Sequence, residues 1–177
     1  MDLFEAVDKR YSHKEKFLPN PIPLCDLEKI AQAGLKAPTG NNSQLVRLVI
    51  LPDRQSVGAL CEIAPTQGME TAPAAIAVLT DKLEQKWMVN FEVEDYSAAA
   101  AQMLLAATAL GYSSLWLDSP YFGGDAQRKA LDVLGAPERM HLRVVLPVGL
   151  PDGEGSRREK LAFRERVSYG RFGCGNE

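Results

Sequence analysis

The chain is poor in the residues that build metal sites, disulfide frameworks and nucleophilic triads. It has two histidines, His13 and His141, and three cysteines, Cys25, Cys61 and Cys174, widely spaced and without a CxxC pair. A structural zinc site needs about four Cys or His ligands at short paired spacings, and a disulfide framework needs paired cysteines, so neither is expected. Cys25 falls on an expected helix and Cys174 in the tail, and no Ser-His-Asp or Cys-His arrangement presents a nucleophile with its base. No GxGxxG follows the first expected strand and no GxxxxGKS/T occurs, which removes the usual dinucleotide and nucleoside-triphosphate loops. An excess of positive charge is also lacking. Twenty basic against 23 acidic residues give a net charge of -3, which speaks against nucleic acid as a partner but leaves room for a local basic patch that holds one phosphate. The most apolar stretch, residues 98–110, is interrupted by Gln102 and Thr108 and falls short of the ~20 apolar residues of a membrane span. The segment MDLFEAVDKR carries acids and no apolar run of the signal-peptide kind. The expectation is a cytoplasmic protein without a membrane segment.

What is present describes a globular chain. Apolar residues make up 46% of the 177, with neither an internal repeat nor a Gly/Ser linker, so residues 1–177 are expected to form one domain. Residues 2–9 read as a short helix with Leu3, Phe4, Ala6 and Val7 on one side. Prolines 19, 21 and 23 keep the following stretch extended, and a second helix runs from Pro23 to about Lys36, where Pro38 ends it. Strands are expected over 46–51, 75–80, 113–117 and 142–148, and a short one over 166–169. Helices are expected from the cap Asp53 to about Ile63, over 92–110, and from the cap Asp125 to Gly135. The middle of the helix over 92–110, Ala98–Ala101 and Leu104–Ala107, is apolar nearly all round, which suits burial on several sides and points to a subunit interface. Strands and helices mix without a strict βαβ rhythm, so the expected class is α+β.

Three clusters could carry chemistry. In the extended run Arg10-Tyr11-Ser12-His13-Lys14, alternate residues point the same way, so Arg10, Ser12 and Lys14 present two cations and a hydroxyl to one side. That suits a phosphate monoester, and it also suits an ordinary solvated loop. The loop Pro38-Thr39-Gly40-Asn41-Asn42-Ser43-Gln44 offers amides and hydroxyls to a ring with donors and acceptors, or simply turns a helix into a strand. Arg157-Arg158-Glu159-Lys160 is a second cationic cluster, or a solvated basic tail.

Together these segments resemble the flavin-dependent nitroreductase family over nearly the whole chain. Arg10, Ser12 and Lys14 match its R-x-S-x-R/K run. Ala37, Pro38, Thr39, Asn42 and Gln44 match A-P-S/T-x-x-N-x-Q. Ala99, Ala100, Met103–Ala107, Leu110 and Gly111 match its A-A-x-x-L-L-A-A-x-x-L-G helix, and Arg158, Lys160 and Val167 match its closing basic segment. The resemblance implies a mainly antiparallel sheet flanked by helices, in an intertwined homodimer with FMN at the interface. Arg10 and Lys14, assisted by Ser12, would hold the phosphate or ribityl oxygens, and Arg158 and Lys160 would add contacts to the phosphate. Thr39, Gly40 and Asn42 would reach the flavin from the other subunit. The turn Leu117-Asp118-Ser119 would offer a backbone N–H near the flavin N5. Tyr11, Pro38, Gln44 and Gln67 complete the cofactor-binding set that the resemblance implies, with no catalytic side chain and no metal ligand.

The chain departs from the family in three places. Gln44 is followed by Leu45-Val46 rather than by Pro-Trp. The usual Asn and Lys before the second strand give way to Pro65-Thr66-Gln67-Gly68, where Gln67 is the candidate substitute. Only residues 82–95 are left to form a lid, in which Trp87 and Phe91, with Tyr96 just beyond, could stack on a planar substrate or belong to the core. The activity implied is hydride transfer from NADH or NADPH through FMN to nitroaromatics, quinones or similar conjugated acceptors, by a ping-pong scheme. Open alternatives are a reductive dehalogenase or flavin-fragmenting relative of the same fold, and a non-catalytic FMN-binding protein.

Overall fold

A computed structural model describes residues 1–81, 90–118, 121 and 123–173. Its centre is an antiparallel sheet in the order β1-β2-β4-β3, formed by β1 (Val46–Leu51), β2 (Ala74–Asp81), β4 (Met140–Gly149) and β3 (Ser113–Ser114). β2 lies inside the sheet and is buried on both faces, so its side chains alternate between two apolar layers. Ala75, Ala77 and Leu79 point to one layer, where α3 (Arg54–Cys61), α4 (Gln67–Thr71) and α6 (Gly124–Leu134) contribute Val57, Leu60, Met69 and Leu131. Ala74, Ile76 and Val78 point to the other, where α2 (Leu24–Leu35) and α5 (Glu92–Ala109) contribute Leu27, Ile30, Ala99, Ala100 and Met103. Small residues on α2 and α5 let these two helices approach closely; a Cβ on Gly34 would stand 2.6 Å from Met103 Cγ. No helix among the described residues is long and apolar enough to cross a membrane.

The α+β class and the antiparallel sheet agree with expectation, and the departures have local causes. β3 ends at Ser114, short of Leu117. Opposite Leu115 stands Pro147, which accepts from the Leu115 N–H at 3.3 Å but has no N–H to return, so the ladder lapses until Leu117 and Val145 exchange bonds of 3.0 and 2.8 Å. Asp125 does not cap α6. Gly123, at φ 73°, occupies the cap position, and Asp125 sits in the first turn, where Lys129 reaches it at 2.7 Å. Asp53, by contrast, forms a full capping box with Ser56. Residues 65–68 are not simply loop, because Thr66 caps the short helix α4 through a 3.2 Å bond from the Met69 N–H. Residues 166–169 form no strand: Arg166 closes the helical turn α7 (Phe163–Arg166), and residues 167–169 that follow it are irregular. On α1 (Leu3–Lys9) only Ala6 is buried, and Leu3, Phe4 and Val7 remain exposed.

Cross-strand pairing slips once, between Val78 and Leu79 on β2. Val78 faces Val144 while Leu79 faces Leu142, which leaves Arg143 as the extra residue of a β-bulge. The bulge turns Arg143 to the α5 side of the sheet beside His141. There it meets Glu92, and its Nε lies 3.0 Å from both Glu92 Oε1 and Thr80 Oγ1.

Candidate functional site

The run from Arg10 to Lys14 lies along the free edge of β3. Ser12 bridges Ser114 in parallel, and the His13 N–H donates to the Ser114 carbonyl at 3.0 Å. His13 turns inward and is fully buried, with Nε2 2.8 Å from the Lys16 carbonyl and Nδ1 3.3 Å from the Tyr11 hydroxyl. Burying that one ring leaves Ser12 and Lys14 on the exposed side of the run, as the alternation of an extended chain requires. Ser114 Oγ, buried next to Ser12, has no hydrogen-bond partner among the described residues.

Two further predicted segments come to this edge. The first turn of α4 packs on it: a Cβ on Gly68 would stand 3.3 Å from Leu115 Cδ2 and 3.8 Å from the His13 carbonyl, which puts the exposed Gln67 beside the run. The C-terminal segment arrives through residues 150–152, which bond to the backbone of Lys16 and Leu18 at 2.9 Å. Arg157 then anchors it. Its Nη1 donates to the Asp8 carbonyl at 2.9 Å and its Nη2 to the Lys9 carbonyl at 2.8 Å, at the C-terminal end of α1, while the guanidinium lies 5.1 Å from the centre of the Tyr11 ring. Arg158 and Lys160 follow directly and are exposed. Arg10, Ser12, Lys14, Gln67 and the stretch holding Arg158 and Lys160 thus form one basic corner.

Tyr11 stands inside this corner rather than at its surface. A Cβ on Gly155 would collide with its ring, Arg157 covers its face, and its hydroxyl points at His13. Farther along the same edge, the Leu117 N–H is engaged by Val145, so it is not the donor that this turn could offer. Asp118 accepts from Trp116 Nε1 at 2.8 Å, and Ser119 lies outside the described residues.

The loop carrying Pro38, Thr39, Gly40, Asn42 and Gln44 is at the opposite corner of the sheet. It runs into the start of β1, and Val46 pairs with Thr80, whereas Ser114 pairs with Val148 and Val148 with Ala74. Between those levels β2 advances six residues, roughly 20 Å, and between the edges lie three strand spacings, roughly 14 Å. Within one chain the loop and the basic corner cannot touch the same small molecule.

Asp95, on the first turns of α5 and 2% exposed, holds this loop from inside. Its Oδ1 accepts the Gly40 N–H and its Oδ2 the Ser43 hydroxyl, each at 2.7 Å. Asn41, Asn42 and Gln44 adopt left-handed backbone angles of φ 53°, 54° and 48°, a conformation Asn tolerates and Gln rarely takes. Gly40 faces the Phe91 ring so closely that a Cβ there would overlap it. Phe91 and Tyr96 are therefore packing aromatics. Tyr96 is buried between Trp116, with ring centres 6.2 Å apart, and Arg143, at 5.8 Å, while Trp87 lies outside the described residues.

A third polar group, unforeseen from the sequence, is built on the same end of α5. Glu92 is buried against Arg143, Thr80 and His141, with His141 Nδ1 3.1 Å from Glu92 Oε1 and 2.8 Å from Arg143 Nη2. Burial pushes the Glu92 carboxyl up, but hydrogen bonds from Arg143 and Thr80 outweigh it and hold the group at about 2. His141 and Arg143 also line a cleft of about 510 Å³ with Gln127 and Arg128 at the start of α6. The only hint in the sequence is that Glu92 and Asp95 are acids at the start of an otherwise apolar helix.

Comparison with known proteins gives a consistent answer. The sequence model described as the nitroreductase family matches residues 7–64 and 63–150. A protein of Archaeoglobus fulgidus, provisionally named an NADH dehydrogenase/NAD(P)H nitroreductase, is 34% identical over 131 residues, 73% of this chain and 74% of its own. A crystal structure from Bacteroides thetaiotaomicron with the same provisional name superposes with a TM-score of 0.82 at 23% identity, covering 96% of this chain and 98% of the other. A Bacteroides fragilis nitroreductase crystallised with bound FMN superposes with a TM-score of 0.72 at 22% identity, over 95% and 98%.

Proposed function

Because the chain belongs to the nitroreductase family, we propose that it is an FMN-dependent oxidoreductase that takes hydride from NADH or NADPH and passes it to nitroaromatics, quinones or similar conjugated acceptors. The observation that carries this reading is the diagonal separation of its two binding segments. The basic corner suits a phosphate and the Thr39–Gln44 loop suits a polar ring, yet a single protomer holds them too far apart for one FMN. A homodimer that sets one protomer's corner against its partner's loop removes the difficulty. Apolar side chains left uncovered on one chain, among them Leu3, Phe4, Phe163 and Phe172, are what such a partner would bury.

The residues present fit the cofactor. Arg10, Lys14, Arg158 and Lys160 bring cationic donors to one edge of the sheet, where a phosphate would gain charge-assisted hydrogen bonds. Ser12 adds a hydroxyl, and the orphaned Ser114 Oγ lies beside it. FMN, when bound, supplies the two-electron chemistry, and the chain's own work is to hold it, orient it and leave one face open to reductant and acceptor in turn. Thr39, Gly40 and Asn42 would meet the ring and ribityl chain from the second protomer. Gln67 would stand in for the missing Asn and Lys near the pyrimidine edge. That one relative of this fold crystallises with FMN supports the assignment.

The test is the visible spectrum of the purified protein, before and after adding NADH or NADPH without oxygen. The expected result is an oxidised-flavin spectrum that bleaches on addition and returns when a quinone or nitroaromatic is supplied. A protein that stays colourless after incubation with FMN would overturn the reading.

A further inference from the structure

Arg157 is the cation of the basic segment that is already engaged, and what engages it is backbone. Its two terminal nitrogens donate to consecutive carbonyls, Asp8 at 2.9 Å and Lys9 at 2.8 Å, which are left without helical partners where α1 ends. Its planar face lies 5.1 Å from the centre of the Tyr11 ring. The Tyr11 hydroxyl in turn approaches His13 Nδ1 at 3.3 Å, inside the run that carries Arg10, Ser12 and Lys14. Gly155 belongs to the same joint, since a side chain there would strike the Tyr11 ring. One guanidinium therefore ties the end of α1, the phosphate-binding run and the C-terminal segment, parts of the chain 148 and 149 residues apart.

We propose that Arg157 is a positioning residue that preassembles the anion site of this protein, with Tyr11 as its platform, and does not itself touch the anion. This rests on the flavin reading above, with the phosphate of FMN as the anion. Without the joint, residues 153–160 keep only the packing of Gly155 on Tyr11 and the Ser156 backbone beside the Glu15 carboxylate, and Arg158 and Lys160 must be ordered each time a phosphate binds. Ordering long side chains and a loop on binding weakens affinity without removing a contact. A guanidinium fork suits the joint because its rigid plane can meet two carbonyls and a ring at once; a lysine ammonium has no such plane.

The experiment compares FMN with riboflavin, which lacks only the phosphate, using fluorescence titration of apoprotein from the wild type, Arg157→Lys and Arg157→Ala. Wild type is expected to bind FMN more tightly than riboflavin. Both variants should weaken FMN roughly tenfold while riboflavin stays within about twofold. Far-ultraviolet circular dichroism of each variant establishes that the fold is retained. If Arg157→Lys keeps wild-type FMN affinity while Arg157→Ala loses it, charge alone suffices and the positioning role is overturned. If both flavins weaken in parallel, the residue is merely structural and the proposal fails. A wild type that binds neither flavin overturns the functional reading instead, and a wild type that binds FMN beside indifferent variants overturns only this one.

Discussion

The two corners of the sheet are held by opposite means. At the Thr39–Gln44 corner the anchor is a buried anion, Asp95, reaching outward from the helix layer to a loop with three residues in left-handed backbone. At the Arg10–Lys14 corner the anchor is a surface cation, Arg157, reaching along the surface to carbonyls that a helix end leaves over. A buried anchor is part of the folding free energy, because removing it leaves the groups it held without their acceptor and empties a place in the packed interior. An exposed anchor contributes little to folding and shows itself when a ligand arrives. Damage to the first corner should therefore appear as lost stability, and damage to the second as lost affinity in a stable protein.

The sharpest break is at Glu92, which fixes the same end of α5 that carries Asp95. Glu92→Ala strips Arg143 of its carboxylate in a place where the arginine side chain is only 20% exposed, and should cost about 3 kcal/mol, read as a lower urea midpoint with an unchanged slope. The pH dependence sharpens this further. The Glu92 carboxyl sits at about 2 in the folded chain against an ordinary 4.5, so its contribution is complete above 4.5 and disappears as pH falls toward 2. The stability difference between wild type and Glu92→Gln should close over that interval; a difference that is flat with pH would show that the pair does not act through its charge.

Asp95→Ala comes next, at about 2 kcal/mol, because it leaves the Gly40 N–H and the Ser43 hydroxyl without their acceptor. Asp95→Asn keeps one carbonyl oxygen and should lose about half as much. Thermal or urea unfolding measures both. A cost for Asp95→Ala within about 0.5 kcal/mol, the range of ordinary surface changes, would erase the contrast between the corners.

The same contrast explains what could be read in the sequence. Elements governed by local rules were legible: the apolar run of β2, the Asp53 cap, the proline that ends α2, the long apolar helix. Elements governed by a neighbour were not. β3 is cut short by a proline on the strand beside it, and α4 is only five residues long and contains Gly68, so it has little periodicity to detect. The candidate site residues could be named from the family pattern, but the contacts that anchor their segments could not. Asp95 is 55 residues from Gly40, and Arg157 looks like one more basic residue of a tail until its carbonyl partners are seen. The bulge that turns Arg143 toward Glu92 likewise depends on a slip in pairing, which no periodicity reports.

The smallest expected effect concerns Gln67, the residue that would replace the family's usual Asn and Lys near the pyrimidine edge. It is exposed and begins α4, a position where alanine is at least as good a helix former, so Gln67→Ala should leave unfolding unchanged within about 0.5 kcal/mol. If its amide pairs with the ring, FMN and riboflavin should both weaken by about threefold, the worth of one ordinary hydrogen bond. That parallel loss is the opposite of the phosphate-selective loss expected at Arg157, although a Cβ on Gly68 would stand 3.8 Å from the His13 carbonyl, which places Gln67 at the same corner. The two substitutions would thus divide the corner into a part that meets the ring and a part that meets the phosphate. Unchanged titrations for both flavins would mean that the altered segment makes no contact with the ring.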